Sequence, residues 1–405
     1  MHAKMDSPTV FPEAFARLKA DLENAAADWS YLSAIPGDGP VRDLEHALGR
    51  HFGAQWVIAV TSGSMALHVA LLAAGVGPGD EVIAPAVTWP QVIFAIRHCG
   101  ATPVLADVGP RMVTVDPMSV ANRVSRKTRV ILATHLYGFP ADMERLQAIA
   151  QSAGALLIAD AAQGVGTLIR GKPIGSIGDF VALSFGRGKL LTAGEGGALI
   201  CRTRKLYEKA VRLSQHPLRM HRDIDDPALR GAINPLALNG RLHPLVASLA
   251  IGQLQALSRR NFLPVIRDHF DRLVDDIRAA GHGGLLPSLP DCGNPSGVCL
   301  PLWGDIGAAT RRLQEMAAHW GYRLCEATPP LALCNPRGAS TTNLLAEGNP
   351  WILATSCGGW NKCPNTHKLF LDLHWELRMD MWMLLEALEA SKQGNGSLPQ
   401  TASSE

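Results

Sequence analysis

Through the first two-thirds of the chain, short apolar runs alternate with segments whose apolar residues recur at helical spacing. Runs bounded by Gly, Pro or Asp and only about five residues long are too short for helices and read as buried strands. Trp56–Val60, Glu81–Ala84, Thr102–Ala106, Val130–Ala133, Ala155–Ala159, Val181–Leu183 and Ala198–Cys201 fit that description. Ser64–Ala74, Gln91–His98 and Met143–Ser152 read as helices between them, and Gly75-Val76-Gly77-Pro78-Gly79-Asp80 as a turn. Strands alternating with helices predict an α/β domain whose mostly parallel sheet lies between helices.

Pro244–Ala280 is the longest helical pattern, with Leu245, Leu249, Gly252 and Ala256 on one face, and reads as two helices or one long bent one. After Gly281-His282-Gly283-Gly284 the chain becomes richer in Pro and Cys. That shift divides it into an N-terminal segment over 1–36, a large domain over 37–280 and a smaller C-terminal α/β domain over 281–391. The tail 392–405 lacks apolar anchors and is expected to be disordered.

Bulk properties narrow the function. A chain of 405 residues argues for more than one domain. The net charge of +2 comes without a long block of one sign, which argues against nucleic acid or a membrane surface as partner and for a small molecule. The start lacks the apolar run of a signal peptide, and no stretch approaches the roughly 20 apolar residues that span a bilayer. Eight scattered cysteines, none in a C-x-x-C pair, read as reduced thiols in a cytoplasmic protein with no structural metal.

Three strand ends carry candidate chemistry. Ser62-Gly63-Ser64 lies between a strand and a helix, where Gly63 allows close backbone approach and free N–H groups favour a phosphate. Asp160 ends Ala155–Ala159, placing a carboxylate where α/β sheets bind ligands; a helix N-cap is the competing role. Asp107 ends its strand in the same way but leads into Val108-Gly109-Pro110 and is better explained as a turn residue. Lys189 sits in Ser184-Phe185-Gly186-Arg187-Gly188-Lys189 between glycines and apolar residues, where partial desolvation favours a nucleophilic neutral amine. A surface or phosphate-binding lysine is the bland alternative. Trp89 can stack on a flat ring or belong to the core. A lysine amine, an acid, a phosphate cup with Ser184 as a further donor, an amide at Gln163 and a flat surface form the set that pyridoxal 5'-phosphate (PLP) requires.

These residues, in this order, resemble the DegT/DnrJ/StrS aminotransferases, PLP enzymes of the aspartate-aminotransferase fold (fold type I) acting mainly on keto-sugars and cyclitols. The resemblance runs from about residue 37 to residue 391. It is strongest in Thr61 to His68, Gly79 to Ile83, Thr88-Trp89, Thr134-His135-Leu136-Tyr137-Gly138, Asp160-Ala161-Ala162-Gln163 and Ser184 to Gly197. It implies Lys189 as the Schiff-base lysine, Asp160 on the pyridine nitrogen, Gln163 on the ring oxygen and Trp89 against the ring. It further implies that Gly63, Ser64 and Ser184 hold phosphate, and that Asn239 reaches the phosphate of the other subunit in a homodimer with shared active sites. The family reads Gly-Tyr-Asn-Tyr-Arg around that asparagine; Ala237, Leu238 and Gly240 depart from it and put the adjacent substrate contacts in doubt. Dehydratase relatives carry histidine where this chain has Lys189, so lysine favours transamination.

The resemblance thus implies a ping-pong transamination from glutamate or glutamine to a keto-sugar, cyclitol ketone or related carbonyl compound in secondary-metabolite or sugar biosynthesis. Gly188 to Glu195 and Cys363-Pro364-Asn365-Thr366 also look like amino-hydroxybenzoate synthases and cyclitol aminotransferases of antibiotic pathways. A PLP lyase of the aromatising type and a non-catalytic, PLP-binding regulatory homodimer are the alternatives. A nucleotide-binding protein is discounted because Gly186–Gly197 contains neither a Walker A sequence nor G-x-G-x-x-G in a strand–helix context. His135 faces the active site or serves as a structural histidine. Arg187 is a candidate contact for an acidic substrate, and Glu195 a turn carboxylate. The cluster of Trp375, Met379, Trp382 and Met383 reads as helix packing. The loop near His216–Arg230 and the small domain are expected to shape the substrate pocket.

Overall fold

The computed structural model describes residues 2–5, 11–33, 35–230, 237–288, 291–302, 310–319 and 322–325. Its main sheet has seven strands in the spatial order Trp56–Val60, Gly197–Cys201, Phe180–Ser184, Leu156–Asp160, Thr128–Thr134, Glu81–Pro85 and Thr102–Ala106. The last five run parallel, and Gly197–Cys201 is antiparallel to both of its neighbours. Every apolar run taken as a strand is one, with ends moved by at most two residues.

Alternate residues of a strand point to opposite faces, and this sheet is covered on both. Val57, Ile131, Leu157 and Val181 join a core with Leu44, Leu146 and Ile251 from the helices Pro40–Phe52, Met143–Ala153 and Pro244–Arg259. Their neighbours Ile58, Val130, Ile158 and Ala182 join another with Leu67, Ile93 and Val211 from Gly63–Ala73, Pro90–His98 and Arg204–Ser214. Burial on both faces is why the strands read as continuous apolar runs rather than alternations.

A third cluster joins the sheet's loops to the C-terminal lobe. Val87, Val108, Leu136 and Phe139 pack there against Phe270, Leu273 and Ile277 of the helix Phe262–Ala279, with Leu300 and Leu313. The first residues of the chain also contribute to this lobe: His2–Met5 is the middle strand of a small antiparallel sheet with Cys299–Pro301 and Tyr322–Cys325.

One expectation is settled between its two alternatives and another is corrected. Pro244–Ala280 is two helices, broken at Arg260–Asn261, where Asn261 takes a left-handed φ of 50°. The segment expected as a loop near His216–Arg230 contains the helices Pro217–Asp223 and Pro227–Arg230. Pro217 begins the first of these, capped by the His216 ring accepting from Leu218 N–H at 3.2 Å. Arg219, 1% exposed, anchors it by pairing with Glu45 at 2.9 Å and Asp223 at 3.0 Å. The sequence reading also left the helices Pro12–Ala27 and Pro40–Phe52 unassigned. The Trp375–Met383 cluster, Cys363–Thr366 and the 392–405 tail lie outside the described residues.

Candidate active site

The candidate residues gather where the parallel strands end. At the end of Trp56–Val60, Ser62 caps the helix Gly63–Ala73, its hydroxyl accepting from Met65 N–H at 3.1 Å. Ser64 is exposed beside it. The backbone here is pressed against two other segments. A Cβ on Gly63 would lie 2.8 Å from the Ser184 Cβ, and one on Gly197 would lie 2.7 Å from the Gly63 nitrogen. Ser62 also forms a parallel bridge with Gly196. The glycines therefore let three strand ends meet around a helix start whose N–H groups and dipole favour an anion.

The lysine loop leaves the neighbouring strand end. Lys189 N–H donates to the Gly186 carbonyl at 3.2 Å, and Gly188 takes a left-handed φ of 79°. Thr192, buried, donates from its hydroxyl to the Gly186 carbonyl at 3.1 Å and accepts from Gly194 N–H at 3.3 Å. These bonds hold the loop as a closed turn with Lys189 half-buried and Arg187 and Glu195 exposed. The sequence reading did not single out Thr192; a threonine among glycines, able to bond neighbouring backbone, was the available signal.

Asp160 lies on the middle of the sheet and is 4% exposed. One carboxylate oxygen accepts from Ala162 N–H at 3.0 Å. Burial pushes this carboxyl above the usual carboxylate range, with the Ala162 N–H and the positive charge of Lys189 acting in the opposite direction. The lysine and the acid, 29 positions apart in the sequence (189 − 160), are thus electrostatically coupled.

A buried polar floor adjoins this pair. The Thr134 and Thr88 hydroxyls lie 2.8 Å apart, and Thr134 is in register with Asp160. Trp89 follows Thr88 and is 51% exposed at the start of the helix Pro90–His98. His135 is fully buried and donates its main-chain N–H to the Asp160 carbonyl at 2.9 Å. Its Nδ1 accepts from Ala141 N–H at 3.1 Å, which leaves the ring proton on Nε2. That Nε2 is buried without a partner among the described residues, and burial pulls the ring pKa down to about 3. Gln163, half-buried, uses its side-chain oxygen to accept from Tyr137 N–H at 2.6 Å. Asn239 is exposed; its neighbour Gly240 accepts from Thr61 N–H at 3.0 Å, so this segment runs beside the helix start at Ser62.

Among the described residues, no group of three or more His, Cys, Asp or Glu side chains could hold a metal ion, and no helix is long and apolar enough to cross a membrane. The arrangement fits PLP. The helix start at Gly63 leaves no room for a Cβ, and the positive charge of half-buried Lys189 acts on a buried carboxylate whose charge a protonated ring nitrogen would stabilise.

That combination of fold and crevice defines a class. A model of the DegT/DnrJ/EryC1/StrS aminotransferase family matches residues 24–273, and the chain belongs to that family, whose cofactor is PLP. The chain is 35% identical over 213 residues to GDP-perosamine synthase of Caulobacter vibrioides, covering 53% of this chain and 56% of that protein. It is 41% identical over 198 residues to the pleiotropic regulatory protein of Geobacillus stearothermophilus, covering 49% and 53%. Among solved structures, 3-amino-5-hydroxybenzoic acid synthase superposes with a TM-score of 0.61 at 30% identity, covering 73% of this chain and 75% of that one. The chain spans about half the length of the curated relatives it matches.

Proposed function

We propose that this protein is a PLP-dependent aminotransferase that moves an amino group from glutamate or glutamine to a keto-sugar, cyclitol ketone or related carbonyl compound. The sites proposed are Lys189 for attachment, Asp160 for the ring nitrogen, Gln163 for the ring oxygen and Trp89 for the ring face. Gly63, Ser64 and Ser184 are proposed for the phosphate, with Asn239 completing the cup across a homodimer. A cytoplasmic setting and a role in sugar or secondary-metabolite biosynthesis go with this reading.

The observation that carries it is the gathering, where the parallel strands end, of the half-buried Lys189 loop, the buried Asp160 carboxylate and a helix start at Gly63 with no room for a Cβ. When bound, the cofactor supplies an electron sink for the carbanion formed at the amino donor's α-carbon. Lys189 would hold the cofactor, and its amine, once released by the donor, would take the proton from that α-carbon as general base and hand it as general acid to the cofactor carbon that had carried the lysine. Asp160 would keep a proton on the ring nitrogen. Its burial strengthens that charge pairing, because little water screens it.

The similarity to 3-amino-5-hydroxybenzoic acid synthase favours an aromatising lyase as the second reading. An absorbance spectrum of the PLP-loaded protein, taken before and after adding glutamate or glutamine, separates the two. Transamination predicts a visible band that moves to shorter wavelength on adding the donor and is absent in Lys189→Ala. A band that stays in place points to lyase chemistry or another donor. Absence of any band in the unaltered protein would overturn the cofactor site itself.

A further inference from the structure

The turn Leu136–Gly138 contains an anomaly that the transaminase reading does not use. Tyr137 takes a φ of 56° and a ψ of 17°, a left-handed conformation that is uncommon for residues other than glycine. Gly138 follows at a φ of 79°, so two successive residues are left-handed. Such a backbone persists only where its surroundings over-determine it, and here they do. Gly138 N–H donates to the His135 carbonyl at 3.1 Å, and Phe139 N–H to the Leu136 carbonyl at 2.9 Å. The Gly138 carbonyl accepts from the Thr167 hydroxyl at 2.7 Å and from Ser296 N–H at 3.0 Å. A Cβ on Gly138 would fall 1.9 Å from the Ser296 hydroxyl and 3.2 Å from the Gln163 carbonyl oxygen. The Tyr137 ring packs against the third core cluster, which includes Phe270 and Leu300.

This conformation gives the Tyr137 main-chain N–H to the Gln163 side-chain oxygen at 2.6 Å. A backbone N–H can only donate, so the amide's two ends are distinguished: the oxygen is held by Tyr137, and the NH2 group is left as the end to be offered elsewhere. We propose that Tyr137 is a positioning residue whose left-handed backbone N–H orients Gln163 so that its amide donates to the cofactor's ring oxygen. The inference rests on the PLP reading of the crevice. It adds that the direction of the Gln163 amide is set from the Leu136–Gly138 turn, which Thr167 and Ser296 brace.

A donor on a negatively charged ring oxygen stabilises that charge, so its loss raises the pH at which the visible band of the Lys189-linked cofactor changes. The test is a spectrophotometric pH titration of PLP-loaded protein. Gln163→Glu keeps an acceptor for Tyr137 but replaces the donor with an oxygen, and should raise the midpoint by about one pH unit, a tenfold change. Tyr137→Ala removes the ring that holds the turn while retaining the Cβ that disfavours a positive φ, and should move the midpoint in the same direction. Tyr137→Gly deletes the same ring but accepts the left-handed backbone, and should titrate with the unaltered protein. Both Tyr137 variants lose the same packing, so a shared loss of stability cancels between them. The inference is overturned if Ala and Gly shift equally, if neither shifts, or if Gln163→Glu leaves the midpoint in place. A missing visible band in the unaltered protein would overturn the PLP reading and this inference with it. A band present there with an unmoved Tyr137→Ala titration would overturn this inference alone.

Discussion

Asp107 and Asp160 occupy equivalent positions at two places in one sheet. Each follows or ends an apolar parallel strand, and each is 4% exposed. Asp107 lies beyond Thr102–Ala106 at the sheet's edge and is tied into its own loop. Its carboxylate accepts from Val108 N–H at 2.9 Å, its N–H donates to the Ser119 hydroxyl at 2.8 Å, and its carbonyl accepts from Asp116 N–H at 2.9 Å. Asp160 lies between the strands Thr128–Thr134 and Phe180–Ser184, and the Lys189 charge from the loop beyond the second strand acts on it. At an edge, a strand-end carboxylate is absorbed by local backbone. In the middle of the sheet, loops diverge from both neighbouring strands, and the same residue meets groups remote in sequence. Position across the sheet turns one sequence feature into a turn residue and the other into a candidate for chemistry.

The sharpest way to break this comparison is the same substitution at both places. Asp160→Asn keeps the oxygen that accepts from Ala162 N–H but removes the charge, and should lower turnover on the order of 100-fold or more. Asp107→Asn likewise keeps an acceptor for Val108 N–H, and should leave turnover within about twofold of the unaltered protein. Steady-state rates of both variants, compared at equal folded concentration, decide the matter. Comparable losses at the two positions would remove the distinction.

Much of this contrast was legible in the sequence. The seven strands were visible because each is buried on both faces and therefore reads as an unbroken apolar run. Asp160 and Asp107 could be told apart by their neighbours, the small Ala161-Ala162 against the turn-forming Gly109-Pro110. Less legible was anything set by tertiary contact. Pro12–Ala27 lies on Pro244–Arg259 through the close approach of Ala14 and Gly252, a Cβ on Gly252 falling 2.6 Å from the Ala14 Cα. The His216–Arg230 helices depend on Arg219 reaching Glu45, 174 positions away. The left-handed Tyr137 could not be foreseen, because residue type alone argues against that conformation and contacts remote in sequence, among them Thr167, Ser296 and the third cluster, sustain it.

A second difference between the two strand ends is that the central one has another ionisable group held neutral beside it. Burial lowers the His135 pKa to about 3, against an unfolded value near 6.5. A histidine with a depressed folded pKa binds its proton more readily when unfolded. Its contribution is therefore fully present above pH ~6.5 and is lost as pH falls from there towards about 3. Between pH 7 and pH 5 the protein should lose about 2 kcal/mol of stability through this group. His135→Asn, whose side-chain oxygen can still accept from Ala141 N–H, should flatten that part of the profile. Urea unfolding of both proteins at several pH values measures it; parallel profiles would show that His135 does not titrate as its burial requires.

The smallest effect tests the edge position alone. Asp107→Ala removes the acceptor for Val108 N–H, whereas the backbone bonds of residue 107 to Ser119 and Asp116 require no side chain. The Val108 N–H loses its partner at a turn, so unfolding free energy should fall by about 1 kcal/mol. Turnover per folded molecule should not change, because the sheet order separates Asp107 from Asp160 by two intervening strands. Urea midpoints and active-site titration of the same preparation separate stability from activity. A fall in turnover larger than the fall in folded fraction would place Asp107 in the candidate site after all, and the contrast between the sheet's edge and its centre would fail.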